Sequence, residues 1–220
     1  LERELDVDVH PETVRRSLDR LEYSWTRPRR KLPPVDPEVY RERLETIVEA
    51  VSRAGRDASV LVEDETTLKR FPPLRRQWQP VGEQLPVMVP ESNDDCTLYG
   101  TLDLTSGSIH ARPYEKGRSD YTIQYLESLL ETTTGTVLLI WDQAKWHTSK
   151  KVRRWLDSHE RIETYLLPVR SPETNPMEDI WRELKERVAA CLERSLDTLL
   201  ESAQTYLRNL SGKQALRTAG

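Results

Sequence analysis

Asp64 follows the apolar run Val60-Leu61-Val62, and Asp142 follows the apolar run Val137 to Trp141. Glu178 stands inside the segment Ser171-Pro-Glu-Thr-Asn-Pro-Met-Glu-Asp-Ile-Trp181. Carboxylates placed where strands finish, with another on a helix, are an oxygen-donor set that holds hard divalent cations against a phosphate. The chemistry expected of them is metal-assisted attack on a phosphodiester of a nucleic acid.

Those acids need elements that bring them together. Residues 58–66 read as a strand, and counting by twos puts Val60, Val62 and Asp64 on one face, with Leu61, Glu63 and Glu65 on the other. Parity therefore selects Asp64 from three neighbouring acids. In the last segment, Asn175 caps a helix that Pro176 opens and that runs to Leu192, with Met177, Ile180, Trp181, Leu184 and Val188 as its apolar stripe. At about 100° per residue, Glu178 lies on the edge of that stripe while Asp179, Glu183 and Glu186 face solvent. Arg182 and Lys185 share its flank, suited to phosphate oxygens or to neutralising the carboxylate. Asp142 finds no partner within its apolar strand, so it needs a cation, exposure, or the start of the next helix to cap.

The surrounding pattern supplies a frame. Further strands are expected over 77–81, 96–104 and 109–113, the last two joined by the turn Thr105-Ser-Gly-Ser108. Helices and strands then alternate: helix 120–131, strand 136–142, helix 148–159, strand 162–167, helix 176–192, and a last helix 196–210. A meander followed by alternating units predicts an α/β protein with a mixed sheet flanked by helices, a ribonuclease-H-like arrangement. Ahead of it, a helix from Pro37 to Ala54 carries Tyr40, Leu44, Ile47, Val48 and Val51 as a packing stripe.

The first 25 residues read as a separate remnant. Val9 to Leu21 has Pro11 at a first helical position and Val14, Leu18 and Leu21 at helical spacing, like the recognition helix of a helix-turn-helix whose earlier helices are missing. Arg15 and Arg16 on its other faces are candidate DNA contacts. A basic, proline-rich linker follows over 26–40, with Arg29, Arg30 and Lys31 suited to tracking phosphates. The catalytic domain is expected over 41–210. With Leu1 first and charged residues after it, the chain is expected to start inside a longer protein and to carry no signal peptide.

Composition sets outer bounds. The formal net charge is −4 and the pI about 5.7, against the basic footprint usual for nucleic-acid binders. Basic residues are nevertheless clustered, as in Lys145, Lys150, Lys151, Arg153 and Arg154 beside Asp142. The longest apolar run falls well short of the roughly 18 residues of a membrane span. Cys96 and Cys191 have no partners at zinc-ligand spacing and are expected to be reduced, which predicts a cytoplasmic protein.

Four elements together resemble a known family. Trp141-Asp-Gln-Ala-Lys-Trp-His147 resembles the Asp-Asn-Ala-x-x-His element of mariner-like insertion-sequence transposases, with Gln143 where that family has Asn. Ser171 to Trp181 resembles their Ser-Pro-x-x-Asn-Pro-x-Glu-x-x-Trp element, Asp64-Glu65 their first strand motif, and Trp78-Gln-Pro-Val-Gly82 their Trp-x-x-x-Gly hairpin. The resemblance implies a DDE triad of Asp64, Asp142 and Glu178, a five-stranded ribonuclease-H-like sheet, and two Mg²⁺ or Mn²⁺ ions. It also implies DNA partners (terminal inverted repeats and TA target sites), a homodimer at synapsis, and nucleoid association in a prokaryotic cell, with no membrane partner. His147 is expected either to position DNA or a water or to be satisfied by local hydrogen bonds at a helix start, and Lys145, Arg182 and Lys185 to contact DNA. The alternatives are an inactive remnant that only binds DNA and another ribonuclease-H-like nuclease.

Overall fold

Period-two burial builds the sheet. In the computed structural model, which describes residues 9–25, 35–55, 57–71, 80–82, 86, 91–92, 94–189 and 195–220, five strands form one sheet. They are β1 (Ser59–Lys69), β2 (Asp95–Asp103), β3 (Ile109–Tyr114), β4 (Val137–Trp141) and β5 (Ile162–Leu166), in the order β3-β2-β1-β4-β5. The first three form an antiparallel meander. β4 joins β1 in parallel and β5 joins β4 in parallel, so the long connections between them carry helices.

Two compact units divide the chain after Pro34. The first contains α1 (Pro11–Arg20), with Pro11 opening the helix and His10 Nδ1 accepting from the Glu12 N–H. Arg15 is bound by Glu12 and Asp19, and Arg16 by Glu12. The second unit begins in α2 (Pro37–Arg53), capped by Asp36, so residues 37–40 are helix rather than linker. Residues 26–34, including Arg29, Arg30 and Lys31, lie outside the described residues, as does most of the expected strand 77–81; Pro80 to Gly82 form no strand.

Helices cover both faces. On one face, α3 (Ser119–Thr132) and the short α4 (Lys150–Leu156) bury Leu126, Leu129 and Val152 against Leu61, Leu139 and Trp141. The other face takes α5 (Met177–Ala189), α6 (Leu196–Asn209) and α7 (Gly212–Thr218) over Leu68, Cys96, Leu98 and Leu102, and Ile47 and Ala54 over Val60 and Val62. The stripe of α2 is rotated from expectation: Ala50 is buried, whereas Val48 is 62 % and Val51 37 % exposed. Ile47, Ala50 and Ala54, spaced three and four apart, make the sheet contact. The domain also extends past residue 210, because α7 starts with a Ser211–Gln214 capping box and buries Ala215.

One glycine sets how close a helix lies. Gly100 pairs with Asp64 across β1 and β2, and a Cβ there would overlap the Trp181 indole and meet Met177 Cε at 2.9 Å. Without a side chain at residue 100, α5 settles directly onto the sheet beside Asp64. The β2–β3 turn follows its sequence signal, with Gly107 at φ 72° and Asp103 Oδ1 accepting from the Thr105 and Ser106 N–H groups.

Candidate active site

Strand register sets two acids side by side. Val62 pairs with Ile140 in the parallel β1–β4 ladder. Two residues further along, Asp64 and Asp142 reach the same level, and alternation turns both to the α5 face. The third acid arrives on that helix, whose stripe of Met177, Ile180, Trp181, Leu184 and Val188 is buried as expected, leaving Glu178 on its exposed flank. Asn175 pins the helix start: its Nδ2 donates to the Glu63 carbonyl at 3.2 Å, and its Oδ1 accepts from the Met177 N–H at 3.0 Å. Asp64, Asp142 and Glu178 line one cavity of about 290 Å³, together with Gln143, Arg170 and Asn175.

The cavity is electrostatically loaded. Burial, then the charges of Glu178, Glu65 and Asp142, push the Asp64 carboxyl up to about 8. Burial would also raise Asp142, but the hydrogen bond from His147, aided by the Ala144 N–H, outweighs it and holds that carboxyl below its usual range. Asp142 thus has the partners that its own strand lacks: Ala144 N at 2.8 Å and His147 Nδ1 at 3.0 Å. Half of its side chain, 51 %, stays exposed.

His147 corrects one expectation. Of its two expected roles, the contact with DNA or water fails, because its side chain is 0 % exposed. Trp141 stacks on it at 4.3 Å between ring centroids, and its Nε2 reaches Glu65 Oε1 at 2.9 Å. Trp146 Nε1 donates to the same oxygen at 2.5 Å. Burial disfavours the imidazolium, but Glu63, Glu65 and Asp142 around it raise the His147 pKa well above its usual value. Glu63 is itself buried, with no hydrogen-bond partner at either carboxylate oxygen. Burial, then the Glu65 charge, push its carboxyl well above the usual range.

Two acidic groups therefore compete as metal sites. Ligand atoms of Glu63, Glu65 and His147 lie within 4.8 Å of one another, on the face opposite Asp64. That group is closed off, with Glu65 and His147 hydrogen-bonded to each other, whereas the cavity of Asp64, Asp142 and Glu178 is open. The open cavity is the better candidate for metal-assisted chemistry on a polymer.

The remaining expected contacts scatter. Lys145 is exposed just after β4, and Lys185 is exposed on α5. Arg182 pairs with Asp179 at 2.5 Å rather than with Glu178. Glu183, expected in solvent, is 34 % exposed and accepts from Thr218 of α7. Arg15 and Arg16 belong to the first unit. Gln143 donates to the Leu167 carbonyl at 2.9 Å, tying the β4 and β5 exits together. Cys96 is free and buried; Cys191 lies outside the described residues. Sequence reasoning missed Glu63, Glu65 and Arg170, although strand parity had already put both glutamates on one face.

A mixed sheet of this order, with carboxylates converging from the middle of β1, the end of β4 and a helix, is a ribonuclease-H-like fold. A family model described as "DDE superfamily endonuclease" matches residues 59–200, and one described as "Winged helix-turn helix" matches residues 1–47. The chain belongs to the DDE superfamily endonucleases. It is 27 % identical over 202 residues to the "Insertion element IS630 uncharacterized 39 kDa protein" of Shigella sonnei, covering 90 % of this chain and 59 % of that protein. The chain therefore spans less than two thirds of that relative's length. Its fold is similar to the mariner Mos1 paired end complex with Mg, at TM-score 0.68 and 15 % identity over 99 % of this chain and 68 % of that one. The catalytic domain of Mos1 mariner transposase gives 0.60 and 14 %, over 86 % and 91 %. Among the described residues, no helix is long and apolar enough to cross a membrane.

Proposed function

We propose that this chain is the transposase of an insertion sequence, cutting and joining DNA ends with Asp64, Asp142 and Glu178. The observation that carries the reading is the cavity that these three acids share. They fit a hard divalent cation: every donor is a carboxylate oxygen, and a cation would offset the burial and the neighbouring charges that push Asp64 up to about 8. Asp64, Asp142 and Glu178 would together hold two Mg²⁺ or Mn²⁺ ions. When bound, such ions lower the pKa of the attacking hydroxyl or water and offset charge on the leaving oxygen.

The chain's own residues do the rest. His147 fixes the Asp142 carboxylate from behind, and Asn175 fixes the first turn of α5, which carries Glu178. Residues 1–25, with Arg15 and Arg16, would bind terminal inverted repeats, the basic residues of 26–34 would track the backbone, and Lys145 and Lys185 would touch DNA at the catalytic domain. Two copies would pair the two ends and join them at TA. The test is nicking of supercoiled plasmid in Mn²⁺, followed by joined-product formation with DNA from the ends of the element. Asp64→Asn, Asp142→Asn and Glu178→Gln should each abolish nicking while keeping the fold, and full activity in any of them refutes the triad. Nicking without joining would indicate a nuclease instead.

A further inference from the structure

Arg170 occupies a backbone position that suits glycine better. Its φ is +61°, in the left-handed region where a Cβ is crowded. The segment leaves little choice. On one side, Leu167 donates to the Trp141 carbonyl at 2.8 Å and accepts from Gln143. On the other, buried Ser171 accepts at its carbonyl from the Thr174 N–H at 3.0 Å and hydroxyl at 2.7 Å. Residues 167 and 171 being fixed, the chain between them turns through the left-handed region at residue 170. An arginine kept at such a position by neighbours that impose the strain points to a role for its side chain.

The location indicates the role. Arg170 is exposed and lines the cavity of Asp64, Asp142 and Glu178. Among the described residues, it is the one basic side chain on that lining. A cavity with three carboxylates repels a DNA strand, and metal ions offset that only at the reacting phosphate. A guanidinium at the mouth supplies planar, paired donors for a neighbouring phosphate.

We propose that Arg170 grips a phosphate of the DNA strand that enters the cavity of Asp64, Asp142 and Glu178. The inference rests on the DNA-cleaving reading above and adds a substrate contact to it. Position 170 offers a discriminating variant, because Arg170→Gly removes the side chain and relieves the backbone at once. Three quantities are compared for wild type, Arg170→Gly and Arg170→Lys: single-turnover nicking of supercoiled plasmid in Mn²⁺, Mn²⁺ affinity by calorimetry, and Tm. Arg170→Gly should nick about 10- to 100-fold more slowly, with Tm unchanged or higher and Mn²⁺ affinity unchanged. The log–log salt slope for binding a short duplex should fall by about 0.9, one phosphate contact. Arg170→Lys should recover part of the rate. Wild-type nicking by Arg170→Gly overturns the inference and leaves the DNA-cleaving reading standing. So does slow nicking accompanied by a lower Tm or weaker Mn²⁺ binding, which would make Arg170 a structural residue. Absence of nicking by the wild type overturns both.

Discussion

Replacing Gly100 with alanine should damage the site without touching any acid. The new Cβ would stand 2.5 Å from Trp181 Cζ2 and 2.9 Å from Met177 Cε. Carbon atoms rest at about 3.5–4.0 Å, so α5 must retreat by about 1 Å. Met177 and Trp181 flank Glu178 on that helix, and the retreat carries the carboxylate away from Asp64. Overpacking of this kind costs about 1–3 kcal/mol, a Tm loss of roughly 2–12 °C at about 2–4 °C per kcal/mol for a domain of this size. A misplacement of about 1 Å at a reacting centre costs on the order of 100-fold in rate. The assay is thermal unfolding beside Mn²⁺-dependent plasmid nicking, with Trp181→Phe added to make room. The double variant should recover part of both losses, the signature of coupled neighbours. An unchanged Tm and rate in Gly100→Ala would refute the claim that residue 100 sets the position of Glu178.

Three further outcomes are expected. His147→Ala removes the bridge between Asp142 and Glu65, so it should destabilise the domain by about 3–5 kcal/mol and weaken Mn²⁺ binding about 10- to 100-fold, read by denaturant melts and calorimetry. Asn175→Ala removes the tie to the Glu63 carbonyl and the cap on Met177; it should cost about 1–3 kcal/mol and lower the nicking rate more than Lys185→Ala does. Metal-free protein should lose stability as pH rises from about 4 toward 8. The folded state keeps the Asp64 proton up to about 8 while the unfolded chain releases it near 3.8, so the unfolded state binds fewer protons across that window and the slope is negative, up to about 1.4 kcal/mol per pH unit from this group. The raised pKa of His147 acts in the same direction. Mn²⁺ should flatten the slope by taking the place of the Asp64 proton, and urea melts at several pH values with and without Mn²⁺ read it directly.

What was legible in the sequence is what local geometry determines. Strand parity separated Asp64 from Glu63 and Glu65, and turn chemistry located the β2–β3 hairpin, whereas helix phase misplaced Asp179 and Glu183, which are half-buried beside an exposed Glu178. The His147 environment was not legible, because its partner Glu65 is 82 residues away and only sheet register brings the two together. The extension of β1 to Lys69 has the same cause, since pairing with Asp95 of β2 holds it. Arg170 gave no signal because nothing in an arginine announces a left-handed backbone. The seven-residue α7 lies below the length at which apolar periodicity can be read, and its stability comes from packing under α5 and the Gly107 turn. The exposed Val48 and Val51 show the limit of hydrophobic stripes on a helix that buries only a narrow, small-residue edge.

Asp64, Asp142 and Glu178, rather than the enclosed Glu63, Glu65 and His147, are proposed to hold the metal. Anomalous diffraction at the manganese edge, from crystals equilibrated with millimolar Mn²⁺, tests it most directly. Manganese peaks are expected at bonding distance from the carboxylate oxygens of Asp64 and of Asp142 or Glu178. Manganese bound instead to Glu63, Glu65 and His147, or no peak in the open cavity, would contradict it.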